Sequence, residues 1–323
     1  MNDAHARLRY LDRTVDLLFP GPGEPRPYTL LPHRLLPRRL VPRAWWHPGG
    51  RVMVRRGGIE SHLSEIFGTR LRVTLRVPPA RRANRKPILE AHAPDGPIAF
   101  VKIGDTDLTR ELVAHEARTL GLLAGVPLKT VVPPAVLHHG SWRGLSVLAL
   151  TPLPVRRGRI RDDVLTAAIT EIAHIPAAPF PGRAFPGTGP PEPPCPETPY
   201  HRASRFAWHG DLASWNISRG PDGRLLVWDW ERFGTGVPLG FDAVHHFLHR
   251  ALRRQDPVTA AGACVARSLR ILAPFGLSAA ESRLTALRYL IALADRHAAD
   301  GHAPLGPPEV WLSPVLDGQE SLL

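Results

Sequence analysis

The run Trp208-His209-Gly210-Asp211-Leu212-Ala213-Ser214-Trp215-Asn216 is followed by Leu225-Leu226-Val227-Trp228-Asp229-Trp230-Glu231. It holds a carboxylate, an amide five residues later and a second carboxylate closing an apolar strand. Transfer of a phosphoryl group from a magnesium nucleotide needs that set. Magnesium takes oxygen ligands, so an amide oxygen and a carboxylate must converge on one point, and Asn216 and Asp229 are the candidates. The acceptor hydroxyl must be held in line while a nearby carboxylate takes its proton. Asp211 suits that part. Glu231 is either a third carboxylate of the metal site or a surface residue.

These residues need elements that bring them together. Between Asn216 and Asp229 lie a short strand (Ile217-Ser218), the turn signal Gly220-Pro221-Asp222-Gly223 and a second strand from Arg224 to Trp230. A hairpin of this kind returns Asp229 towards Asn216, so that thirteen residues of chain become adjacency in space.

Upstream, Pro97-Ile98-Ala99-Phe100-Val101-Lys102-Ile103 is a strand with a lysine among apolar residues, in a chain with only three lysines (86, 102 and 129) against 38 arginines. Such a lysine holds donor phosphates when a glutamate from the next helix orients it. Leu112, Val113, Glu116, Leu120 and Leu123 recur at helical spacing, which predicts a helix over 107–124 and makes Glu116 the partner, with Glu111 as the alternative. The competing reading of Lys102 is an edge-strand lysine that keeps a sheet soluble. The segment Pro78 to Pro87, where a loop would cover the phosphates, has no glycine. Asn84, Arg85, Lys86 and backbone amides are then the groups that would meet the donor.

His-Gly-Asp at 209–211, Asn216, and an apolar strand ending in Asp229 resemble the catalytic core of the aminoglycoside phosphotransferase and choline kinase superfamily. Its members share the two-lobed protein-kinase-like fold. The resemblance implies an α+β chain with a small antiparallel-sheet N-lobe and a mainly helical C-lobe. It implies Asp211 as catalytic base, Asn216 and Asp229 as metal ligands, and ATP or GTP with Mg2+ as cofactors. It also implies that Asp242, in Leu239-Gly240-Phe241-Asp242, braces the catalytic loop, and His209 is read as a second brace through hydrogen bonds. Protein kinases differ: Asp229 is followed by Trp230, and no Ala-Pro-Glu fits before the helix that starts near Phe241. The expected acceptor is therefore a hydroxyl of a small molecule such as a sugar, amino alcohol or aminoglycoside-like compound. The alternative is a pseudokinase that binds nucleotide or a partner without transfer, which the glycine-free loop favours and the intact Asp211, Asn216 and Asp229 oppose.

Composition bounds these readings. At 323 residues and 43% hydrophobic, the chain can bury the core of one two-lobed domain or two small ones. A net charge of +12 invites a nucleic-acid partner, but the arginines are scattered and no helix-turn-helix, zinc finger or aromatic-basic signature accompanies them, which argues against one. No run approaches a membrane span, and the first residues lack the apolar core of a signal peptide, so the expectation is a cytoplasmic protein. Cys195 and Cys264 form no metal-type pairing and no disulfide framework. His245 and His249 stand one helical turn apart beside His246, yet without a third ligand in the sequence they read as core or surface histidines.

The expected organisation is an irregular, Pro- and Arg-rich appendage over 1–50, an N-lobe over 51–150, and a C-lobe over 151–323 interrupted by a Pro-rich loop at 176–200. Strands are expected at 71–77, 88–92, 98–103, 131–138 and 145–150. Residues 149–154 are read as a hinge that would offer backbone groups to an adenine edge. Helices are expected near 240–254, 258–273 and 279–299, the last with Leu284, Leu287, Ile291 and Ala294 as its apolar face.

Overall fold

A computed structural model describes residues 10, 13–20, 23–27, 51–55, 58–76, 84–156, 158–177, 206–301 and 304–320. Contacts divide the chain into two units, Met1–Ala117 with Ala135–Pro152, and Arg118–Pro134 with Leu153–Leu323.

The first unit is organised by period-two alternation. Strands β1 (Gly23–Pro27) and β2 (Arg51–Arg55) form an antiparallel pair. Strands β3 (Arg72–Arg76), β4 (Ile88–Ala93) and β5 (Gly96–Gly104) then begin a five-stranded antiparallel sheet. It continues beyond β5 with β8 (Leu145–Leu150) and β7 (Val136–Trp142), while β6 (Val131–Val132) lies in another sheet. On β5, Ala99, Val101 and Ile103 point into a core shared with Leu75, Leu89, Val147 and Ala149. Leu63 of the helix Ile59–Phe67 closes that core. Full burial of each large apolar side chain contributes about 1.5–3 kcal/mol. The intervening residue Lys102 must face the other side of the sheet.

Residues 13–18 are helical, and Val15, Leu18 and Phe19 belong to the same core. This part of the stretch expected as an irregular appendage is thus ordered by the packing of its apolar side chains, and Gly23–Pro27 within the same stretch is the strand β1. Residues 28–50 and the Pro-rich stretch 178–200 lie outside the described residues.

In the second unit, β6 runs parallel to β11 (Leu225–Val227), which pairs antiparallel with β10 (Ile217–Arg219). The strand expected over 131–138 is therefore two strands in two sheets. Pro133 and Pro134 interrupt it, because neither can donate to a ladder. Strand β9 (Phe206–Trp208) pairs with β12 (Gly234–Val237). The remainder is helical: Asp162–Ala173, Phe241–Ala251, Pro257–Ala266, Ser268–Leu272 and Ala279–Ala299. The expected helix over 258–273 breaks at Arg267, whose φ of −108° and ψ of 10° leave the helical range. The helix Ala279–Ala299 opens on a capping box between Ser278 and Glu281.

Of the face expected for that helix only Ala294 is buried, and Leu287 is half-buried. Ser282, Thr285, Ala286, Tyr289, Leu290, Leu293 and Ala294 are inside, whereas Leu284 and Ile291 are exposed. The inward face mixes large apolar Leu290 and Leu293 with small and polar residues, and from it Tyr289 and Arg296 reach the polar groups described below. The architecture is α+β, an antiparallel-sheet unit and a mainly helical unit. Among the described residues no single helix is long and apolar enough to cross a membrane.

Candidate active site

The His-Gly-Asp turn follows β9 and is held from beneath by a buried carboxylate. Asp242 begins the helix Phe241–Ala251 and accepts the backbone N–H groups of His209 at 2.7 Å and Gly210 at 3.2 Å. Gly210 has φ +81°, and a Cβ there would lie 2.2 Å from the carbonyl oxygen of Arg232, so only glycine closes this turn. Its carbonyl accepts Arg296 Nη1 at 2.6 Å. Burial pushes the Asp242 carboxyl up to about 7, against the two N–H groups that favour its charged form, and the charge of Asp211 adds to the rise. His209 Nδ1 accepts the Asp211 N–H at 3.2 Å, and its ring meets Trp230 edge-on.

Asp211 stands on this turn with both carboxylate oxygens engaged. Asn216 is buried and donates Nδ2 to Asp211 Oδ2 and to the Asp211 carbonyl, each at 2.9 Å. His245 Nε2 lies 3.1 Å from Asp211 Oδ1, and Tyr289 Oη lies 2.9 Å from His245 Nδ1. Burial, with the charge of Arg296 next, holds His245 far below the ordinary histidine value, and burial holds the Tyr289 phenol protonated. A neutral imidazole that donates Nε2–H to the carboxylate and accepts the phenol O–H at Nδ1 satisfies both contacts. The result is a chain Tyr289–His245–Asp211–Asn216 that leaves the Asp211 side chain 23% exposed.

Asp229 reaches this region through the hairpin. Ile217 pairs with Val227, and Trp228 N–H donates to the Asn216 carbonyl at 3.1 Å, which brings the chain to Asp229 one residue from that contact. Asp229 has φ 74° and ψ 51°, a left-handed conformation shared by only Arg143 among the described non-glycine residues. Such a conformation costs on the order of 1–2 kcal/mol in an L-residue and turns the chain sharply into Trp230–Arg232. Asn216 commits its amide nitrogen to Asp211, which leaves the amide Oδ1, a hard oxygen, as the donor suited to a divalent cation. Glu231 is buried.

In the first unit, Lys102 Nζ lies 2.7 and 2.6 Å from the two carboxylate oxygens of Glu116 on the helix Asp107–Leu123. Glu111 is exposed. Lys102 is buried, not an exposed edge lysine, and pairs in register with Leu148 and Ile88 of its neighbouring strands. Lys86 is buried and Asn84 half-buried just before β4. Residues 78–83 of the glycine-free segment lie outside the described residues.

Sequence reasoning missed the part three groups play at the turn: His245, read there as a core or surface histidine, and Arg296 touch it, and Tyr289 reaches it through His245. His245 has a signal, since it follows Asp242 by one helical turn and so shares its face. Tyr289 and Arg296 are two turns apart on the helix Ala279–Ala299 and carry no local mark of their targets.

The fold defines an α+β chain whose helical unit presents a braced His-Gly-Asp turn. No protein-family model and no curated protein matches the chain. It is similar to the solved structure of a Haemophilus somnus 129PT protein assigned as a fructosamine-3-kinase, with 16% identity, 75% of this chain and 90% of the other covered, and a TM-score of 0.49. It is similar to aminoglycoside 2'-phosphotransferase-IIIa in its GDP complex, with 14% identity, 82% and 98% covered, and a TM-score of 0.46. A third similar structure is macrolide 2'-phosphotransferase MphH from Brachybacterium faecium, with 18% identity, 76% and 97% covered, and a TM-score of 0.43.

Proposed function

We propose that the chain is a phosphotransferase that moves the terminal phosphate of ATP or GTP to a hydroxyl of a small molecule, with Asp211 as base. The observation that carries this reading is the contact of Asn216 Nδ2 with Asp211 Oδ2. One side chain orients the base with its nitrogen and offers its oxygen to a cation, which links the acceptor end of the reaction to the donor end.

Asp211 takes the acceptor proton on a carboxylate oxygen, each of which keeps lone-pair capacity beyond its present hydrogen bond. The partial exposure of its side chain gives an acceptor access. Asn216 Oδ1 and the Asp229 carboxylate are the proposed ligands of magnesium. When bound, magnesium neutralises charge on the donor phosphates. Asp242 and His209 keep the turn in shape through the backbone contacts described above. Lys102, oriented by Glu116, is the proposed ammonium for the donor phosphates, with Asn84 and Lys86 as further donor contacts.

The test is incubation of the purified protein with magnesium and γ-labelled ATP or GTP in a pooled extract of hydroxylated metabolites, with the labelled product identified by mass. Transfer is expected, and Asp211→Asn should slow it by about a hundredfold to ten-thousandfold while nucleotide affinity is retained. Wild-type turnover in Asp211→Asn would remove Asp211 from the mechanism. Nucleotide binding without any transfer would favour the pseudokinase.

A further inference from the structure

The helix Phe241–Ala251 carries His245 and His249 one turn apart, the spacing at which two imidazoles address a single ion. The sequence offers them no third ligand, but the fold does. Asp211, 34 residues earlier, brings Oδ1 to 3.1 Å from His245 Nε2. One ligand atom from each of Asp211, His245 and His249 lies within 4.8 Å of the other two. We propose that these three side chains form a binding site for a transition-metal cation of the zinc class, distinct from the oxygen ligands Asn216 and Asp229.

The donor set selects the metal. Two imidazole nitrogens and one carboxylate suit zinc, cobalt, nickel or copper, whereas magnesium prefers octahedral oxygen and dehydrates reluctantly. Three protein ligands leave a fourth position open. The surroundings already hold the ligands in place. With a metal on Nε2, His245 donates its Nδ1–H to Tyr289 Oη at 2.9 Å, the outer-shell contact that ligating histidines use. Asn216 holds the other Asp211 oxygen, so Oδ1 stays turned to the histidines. Trp215 packs edge-on against His249, with ring centroids 5.2 Å apart. Arg296 is the neighbouring cation that opposes a second positive charge, and Asp211 and Asp242 are the carboxylates that offset it. The exposed fraction of Asp211 provides the route in.

Occupancy has a consequence that rests on the reading of Asp211 as base: a cation on Oδ1 neutralises the carboxylate and lowers its basicity, and transfer stops. Zinc-class cations are then inhibitors of the proposed reaction.

The site is tested by titrating the metal-free full-length protein with Co2+ alone and following visible d–d absorption. A saturable band that Zn2+ displaces is expected. His249→Ala, on a partly exposed position near the helix end, should fold as wild type and weaken binding by more than the about 10–100-fold that loss of an outer-shell partner costs. Tyr289→Phe, which keeps the ring, should weaken it by about 10–100-fold. His174→Ala, an exposed histidine elsewhere, should change nothing. Absence of a saturable band, or wild-type affinity in both His249→Ala and a second variant, His249→Gln, overturns the site. The consequence is read separately: saturating Zn2+ should stop phosphoryl transfer by the wild type and spare His249→Ala. Equal inhibition of both overturns the inhibitory role. A protein with no transfer activity overturns the proposed function, and the cobalt titration still decides the metal site.

Discussion

Lys102 grips both carboxylate oxygens of Glu116, at 2.7 and 2.6 Å, in a place where the glutamate has no exposed surface. Two long charged side chains are kept dry there, and removal of either leaves the other buried without its partner. Glu116→Ala should therefore lower unfolding stability by about 3–5 kcal/mol. Lys102→Arg keeps the charge but places a planar fork on a longer stem. It should retain most of the stability and lose nucleotide affinity and turnover, read by denaturant unfolding and calorimetry. Full nucleotide affinity in Lys102→Arg would remove the lysine from donor binding, in a chain that carries arginine almost everywhere else.

Asp229 combines a carboxylate with a left-handed backbone, and two substitutions separate the contributions. Asp229→Gly and Asp229→Ala both remove the proposed ligand, so magnesium-dependent nucleotide binding should fall equally in the two, as it should in Asn216→Ala. Glycine relieves the backbone penalty, so Asp229→Gly should unfold later than Asp229→Ala by about 1 kcal/mol. Nucleotide affinity that is indifferent to magnesium removal by EDTA, and to all three substitutions, would dismiss the metal site.

The Asp242 carboxyl titrates at about 7 in the folded chain and near the ordinary aspartate value when unfolded. The folded state therefore binds the extra proton between those values. Its contribution to stability is full below about pH 4 and is lost as pH rises towards 7, with a slope of at most about 1.4 kcal/mol per pH unit. His245 and His246, both held low by burial, act in the opposite sense below the ordinary histidine value. Asp242→Asn keeps those histidines and removes the carboxyl. Wild-type stability minus that of Asp242→Asn should decline from pH 4 to 7 and level off above, as measured by urea unfolding. A flat difference would show that Asp242 stays charged.

Arg296 ties the helix Ala279–Ala299 to the Gly210 carbonyl. Arg296→Ala leaves that buried oxygen without its donor and should cost about 1–3 kcal/mol. It also removes a cation that favours charged Asp242, so the pH at which stability falls should move upward in this variant. Movement in the other direction would contradict the electrostatic arrangement around the turn.

What the sequence by itself determined lies within short stretches of chain. Alternation along 88–92, 98–103 and 145–150 marks β4, β5 and β8, and the apolar spacing from Leu112 to Leu123 marks the helix Asp107–Leu123. The pairing of Lys102 with Glu116 is legible for the same reason, since a strand and the next helix leave few ways to satisfy a buried lysine. The hairpin from Asn216 to Asp229 follows from its turn residues. Backbone hydrogen bonding and side-chain period act over a few residues, so they leave a local record. Tertiary structure decided the rest. Val131–Val132 paired with β11, some ninety residues further along the chain, and not with the sheet that β7 joins, Leu18 and Phe19 entered the first core, and the helix Ala279–Ala299 turned Tyr289 and Arg296 inward instead of Leu284 and Ile291. It also made Asp211 the neighbour of His245, two residues whose separation along the chain carries no mark of contact. Which face of an element is buried depends on the chemistry of what packs against it. Here a buried carboxylate, a carbonyl and an imidazole asked for polar partners that no periodicity announces.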